Sequence, residues 1–127
     1  MARAAKHPDP SPSLRIRIVF GAEAMLGPGK ADLLEKIRET GSISAAGRAM
    51  SMSYKRAWSL VEEMNNAFRE PLVDSTRGGA RGGGARLTEA GETVLANYRK
   101  LEEITAKAGA ARIGTIQSML RDMSEGK

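Results

Sequence analysis

The chain has 127 residues, enough for one modest core, and its 41% hydrophobic and 28% charged residues are those of an ordinary globular domain. Its net charge of +5 favours polyanionic partners, and the absence of cysteine excludes a disulfide framework and a cysteine-based zinc site. The single histidine, His7, lies among prolines, which argues against a histidine-based catalytic centre. No apolar run reaches the roughly 20 residues that cross a bilayer, and the N-terminus lacks the apolar core of a signal peptide. The expectation is a cytoplasmic protein with no membrane segment.

Residues 1–13 (MARAAKHPDPSPS) are polar, proline-rich and unpatterned, and read as a flexible arm. Leu14 to Phe20 (LRIRIVF) then alternates, with Leu14, Ile16 and Ile18 on one face and Arg15 and Arg17 on the other. That period of two predicts a half-buried strand. Gly21 to Gly29 reads as a connection ending in the breaker Gly27-Pro28-Gly29. Lys30 to Thr40 (KADLLEKIRET) predicts a short helix with Leu33, Leu34 and Ile37 on its inner face and Gly41 as its left-handed stop.

Gly41 to Asn65 (GSISAAGRAMSMSYKRAWSLVEEMN) carries the strongest signal. Ser42 or Ser44 can cap a first helix running to about Met50, Ser51-Met52 makes a turn, and Ser53 caps a longer helix over about 53–68. Ala46 and Gly47 supply the small residues that two steeply crossing helices need. Met50, Met52, Ala57, Leu60, Val61, Met64 and Phe68 supply the apolar anchors. The outer face keeps Tyr54, Lys55, Arg56 and Ser59 near the start of the second helix. That end enters the major groove in helix-turn-helix proteins. Glu62 and Glu63 would repel phosphate, so they are expected to face solvent or a partner.

Beyond Pro71, Leu72 to Arg77 and Ala85 to Thr88 predict two short strands around the loop Gly78 to Gly84 (GGARGGG), within a hairpin over about 72–87. A basic hairpin directly after a recognition helix has the layout of a wing. Its Arg77 and Arg81, with Arg48 before the turn, are candidate phosphate contacts. The rival reading, a nucleotide-phosphate cradle, fails because the loop has no Gly-Lys-Ser/Thr ending and a strand, not a helix, follows it. Trp58 reads as a packing residue, whereas Tyr54, exposed at a helix start, is open to phosphate or base contact. Adjacent carboxylates such as Glu102 and Glu103 point to different helix faces and form no acid/base pair or metal site.

The last segment, 88–127, starts at the candidate cap Thr88. Val94, Tyr98, Leu101, Thr105 and Ala108 recur at heptad-like spacing, and Leu95 and Ile104 widen the stripe, which predicts a dimerisation seam. Gly109 weakens the helix, and Ile116, Met119, Leu120 and Met123 form a second stripe. The predicted architecture is therefore mainly α with a small β-hairpin wing. A winged helix-turn-helix over residues 14–87 would be followed by a long dimerisation helix.

The segments GSIS, SYKRAW and EEMN, together with the wing GGARGGGARLT, resemble the N-terminal domain of the ModE-type molybdenum-responsive transcriptional regulators, a LysR-like winged helix-turn-helix. The likeness covers roughly Leu14 to Leu101. It implies a homodimer joined through the helix after the wing. It also implies that Ser53, Tyr54 and Lys55 lie in the recognition helix, that Trp58 anchors it, and that Arg77 and Arg81 belong to the wing. Two positions depart from the pattern. Ser51 stands where such turns often have glycine, and Arg56 adds a charge where a small residue is expected. No stretch after the seam resembles an oxyanion-binding module, so direct molybdate sensing is not carried over, and no cofactor, metal or small-molecule ligand is expected. The expectation is a sequence-specific regulator that binds double-stranded DNA as a homodimer. Alternatives are a non-specific nucleoid-type binder and a dimerisation partner that modulates a full-length regulator. No catalytic constellation points to an enzyme.

Overall fold

A computed structural model describes residues 12–76 and 84–121. Two short hairpins and five helices follow in chain order: β1 (Ile18–Phe20), β2 (Ala24–Leu26), α1 (Pro28–Thr40), α2 (Ile43–Ala49), α3 (Tyr54–Ala67), β3 (Val73–Thr76), β4 (Gly84–Leu87), α4 (Glu89–Ala108) and α5 (Ala110–Ser118). The expected mainly helical architecture with a β-hairpin after the helix-turn-helix is present.

The N-terminal region departs from the sequence expectation. Pairing is confined to β1, and the expected connection contains β2, which returns antiparallel with Ile18 opposite Leu26 and Phe20 opposite Ala24. Gly21 permits this reversal by taking φ of 66°. Three residues in β2 are too few to print a periodicity. The first helix also starts earlier than expected, at Pro28, whose missing N–H costs nothing in a first turn. It ends as expected at Gly41, with φ of 74° and its N–H donating to the Ile37 carbonyl at 2.8 Å.

Helix α1 is the central pillar: Leu33, Leu34 and Ile37 are fully buried. Around it pack Ile43 and Ala46 from α2, Ala57, Val61 and Met64 from α3, Leu72 and Leu87 from the second hairpin, and Leu95 and Tyr98 from α4. In the second hairpin Val73 faces Leu87 and Thr76 faces Gly84, while the Ala85 N–H donates to the Gly41 carbonyl at 2.9 Å. The hairpin is thereby tied to the end of α1.

Helix α4 is capped by Thr88, whose Oγ1 accepts from the Gly91 N–H at 3.0 Å. Its first half is consumed by the domain itself. Arg99 reaches Asp32 at 2.8 Å and Glu35 at 2.7 Å on α1, and the Tyr98 hydroxyl donates to the Ile16 carbonyl at 2.6 Å. This corrects the proposed seam. Leu95 and Tyr98 are 1% and 2% exposed, so they form core rather than a surface for a second chain. Periodicity marks an apolar stripe but does not say which neighbour covers it. Val94 and Thr105 are half-buried, and Leu101, Ile104 and Ala108 are exposed. At Gly109 the helix divides, and α5 has no buried residue; Ile116, Met119 and Leu120 are largely exposed. Met123 lies outside the described residues.

Candidate nucleic-acid interface

The site is built from α2, the turn and α3. Ser42 caps α2, its Oγ accepting from the Ala45 N–H at 3.0 Å, while Ser44 instead accepts from Arg48 Nη1 at 3.0 Å. The Ser53 hydroxyl caps α3 by accepting from the Arg56 N–H at 3.0 Å. The two helices meet at Gly47, where a Cβ would stand 3.0 Å from that of Ala57. A larger side chain there would push α3 off α2. The turn passes through Ser51 at φ of 59°, a left-handed conformation that a residue with a Cβ rarely takes. The departure noted in the sequence therefore falls on a strained position.

With Ala57, Leu60, Val61 and Met64 buried, α3 turns the rest of its surface outward. Tyr54, Lys55, Arg56 and Ser59 are all exposed, as is Arg48 on α2. Trp58 is half-buried against the core, and its indole N–H donates to the Tyr54 hydroxyl. The two rings meet edge to face, with centroids 6.3 Å apart. Trp58 thus packs and also holds Tyr54 in one orientation. Neither α2 nor α3 has an acidic residue in its first turn, and the first turn of α3 carries Lys55 and Arg56. Cations at a helix N-terminus oppose the helix dipole. The arrangement is unfavourable in the free protein and becomes favourable when an anion docks there.

The surroundings sort the remaining charges. Glu63 is exposed and also meets the buried Lys30 ammonium at 3.2 Å, and Lys30 donates to the Met25 carbonyl at 3.0 Å. Glu62 is exposed. In the second hairpin Arg86 lies 3.6 Å from Asp74 across the strands, so part of its charge is neutralised. Arg77 and Arg81 lie outside the described residues. Sequence reasoning missed Asn65. Its Oδ1 accepts from the Leu72 and Val73 N–H groups at 2.8 and 3.1 Å, and its Nδ2 donates to the Val73 carbonyl at 3.1 Å. The last turn of the recognition helix is thereby bolted to the first wing strand. Among the described residues, no cluster of three or more potential ligands could hold a metal ion, and no helix is long and apolar enough to cross a membrane.

Residues 30–92 match the family described as bacterial regulatory helix-turn-helix protein, lysR family. This segment is thus similar to LysR-type helix-turn-helix domains. Among its relatives, the molybdenum-pterin-binding protein MopB of Rhodobacter capsulatus is 48% identical over 84 residues, 66% of this chain and 31% of that protein. The DNA-binding transcriptional dual regulator ModE of Escherichia coli K12 is 40% identical over 81 residues, 64% of this chain and 31% of that protein. The full-length LysR-type regulator LysG of Corynebacterium glutamicum, solved with bound effector arginine, superposes with a TM-score of 0.52 at 27% identity. That match covers 72% of this chain and 29% of LysG. The chain thus spans about a third of the length of these relatives, and the similarity lies in the LysR-type domain. The matched family is described as regulatory helix-turn-helix proteins, and the Escherichia coli relative as a DNA-binding transcriptional regulator. In this chain α2 and α3 are the helix-turn-helix and β3–β4 the wing.

Proposed function

We propose that the chain is a sequence-specific transcriptional regulator that binds double-stranded DNA as a homodimer. The observation that carries this reading is the start of α3, where Tyr54, Lys55 and Ser59 stand exposed with no carboxylate in the first turn. Lys55 and Ser59 are one helical turn apart and form a ridge that fits a major groove. Lys55 matches guanine acceptors, and the hydroxyls of Ser59 and Tyr54 serve as either donor or acceptor. Arg48 and the wing arginines Arg77 and Arg81 add phosphate affinity that falls with salt. The reading needs no metal or cofactor, because every contact is made by side chains and backbone N–H groups.

The homodimer is supported by apolar surface that the domain leaves uncovered. Leu101 and Ile104 on α4, Ile116 on α5, and Met119 and Leu120 just after it are all exposed. Exposed large apolar side chains in such number favour an association site. Two copies related by a two-fold axis would place their recognition helices about one helical turn of DNA apart, some 34 Å. Resemblance to the ModE relatives also supports a regulatory role, without carrying over molybdate as the signal.

The test is a fluorescence-anisotropy titration of Lys55→Ala against a duplex selected by the wild-type protein and against random duplex. Loss of one good base contact is expected to remove about 1–3 kcal/mol of discrimination. Unchanged discrimination would exclude Lys55 as a reader, and equal wild-type affinity for both duplexes would favour the non-specific binder.

A further inference from the structure

Successive residues on an α-helix are about 100° apart, so Tyr54, Lys55 and Arg56 cannot all address the same bases. They lie on three ridges: Tyr54 with Trp58, Lys55 with Ser59, and Arg56 with Leu60. Trp58 draws the first ridge toward the core, and the second is exposed throughout. The third descends onto the buried Leu60 and borders the protein body. There Arg56 lines a cleft of about 280 Å³ with Arg17, from the stretch leading into β1, and the Gly27-Pro28-Gly29 corner.

The charge in this cleft is unopposed. Among the described residues the Arg17 and Arg56 guanidinium groups have no ion pair, whereas Arg38 and Arg86 each have one and Arg99 has three. The third cation of the cleft, Lys30, is already paired with Glu63, and no carboxylate lines the wall. The stem of Arg17 lies close over Gly27: a Cβ on that residue would come within 3.7 Å of the Arg17 Cγ. At that distance the Arg17 stem is in ordinary van der Waals range of the Gly27 corner, on the same cleft wall as Arg56.

We propose that Arg17 and Arg56 form a two-arginine clamp for one DNA phosphate at the edge of the groove that α3 occupies. Arg56 is thereby a positioning residue and not a base reader, and the N-terminal hairpin becomes part of the DNA interface. The inference rests on the DNA-binding reading above. Planar guanidinium groups suit phosphate because each can present paired N–H donors to its oxygens. A phosphate contact fixes register but carries no sequence information.

The test uses the full chain, with Arg17→Ala, Arg56→Ala, the double variant and Arg17→Lys. Each is titrated against a selected and a random duplex at several potassium chloride concentrations. Each alanine variant is expected to weaken binding about tenfold on both duplexes alike. Each should also lower the slope of log K against log salt by about 1, and the double variant by no more than about 2. Arg17→Lys should restore the slope, and circular dichroism melting should match wild type because both side chains are exposed. A changed sequence preference in Arg56→Ala would overturn the clamp by returning Arg56 to base reading. Unchanged affinity and slope in Arg17→Ala would overturn it as well. Wild-type protein that binds neither duplex would refute the DNA-binding reading itself, a failure separable from that of the clamp.

Discussion

Asn65→Ala offers a sharp test of how the recognition helix is joined to the wing. The side-chain amide makes three hydrogen bonds, accepting from the Leu72 and Val73 N–H groups and donating to the Val73 carbonyl. Leu72 and Val73 are both buried, so water cannot readily replace the amide. Each bond contributes about 1 kcal/mol net, and stranding buried backbone groups costs about 1–3 kcal/mol each. Part of that penalty is recovered by local rearrangement, which leaves a loss of about 3 kcal/mol. At about 4 °C per kcal/mol for a domain of this size, the melting temperature should fall by about 12 °C. Asn65→Asp keeps both acceptor contacts but loses the donor and sets a carboxylate against the Val73 carbonyl, so it should fall in between. Urea unfolding followed by circular dichroism at 222 nm measures both. A loss below about 1 kcal/mol in Asn65→Ala would show that the amide does not hold the wing strand.

Gly91→Ala should destabilise by about 2 kcal/mol despite alanine's better helix propensity. Its Cβ would lie 2.2 Å from the Leu72 carbonyl oxygen, a backbone atom that must move. Gly29→Ala, which meets nothing within 4 Å, should be neutral or stabilising by up to about 1 kcal/mol in the same thermal melt. Ser51→Gly should raise stability by up to about 1 kcal/mol, because Ser51 sits at φ of 59°; a decrease in urea midpoint would contradict the strain. Tyr98 has its pKa raised above the ordinary 10.0, first by burial and then by the nearby Glu102 carboxylate. The folded state therefore keeps the phenol proton longer than the unfolded chain. The stabilisation is complete below about pH 10 and is lost as pH climbs from there through the raised value. Tyr98→Phe should lose about 1 kcal/mol at pH 7, from the bond to the Ile16 carbonyl, and show a weaker decline in stability as pH rises above about 10.

The helix-turn-helix was readable because its signals are local. Ser53 and Thr88 cap the helices they were expected to cap, Gly41 stops α1 in the left-handed conformation, and Gly47 sits at the crossing of α2 and α3. Such features depend on a residue and its nearest few neighbours, so one sequence suffices to find them. What stayed hidden depends on distant neighbours. Ala24 to Leu26 is too short to mark a strand until Ile18 to Phe20 lies beside it. The stripe from Val94 to Ala108 looks continuous in sequence, yet α1 and the Ile16 backbone claim Leu95 and Tyr98. Asn65 was visible only as the end of a motif, because its partners are seven and eight residues on. Arg17 was legible as an outward strand residue, but its meeting with Arg56 requires the hairpin and α3 to be placed side by side.

The central claim is that two copies of α3 read double-stranded DNA in adjacent major grooves. Selecting bound duplexes from a random pool tests it most directly. The expected result is enrichment of a palindrome whose half-site centres lie about 10 base pairs apart, with the preferred bases lost when Lys55→Ala is selected in parallel. A pool that emerges without enrichment, or with a single asymmetric site indifferent to Lys55, would contradict it.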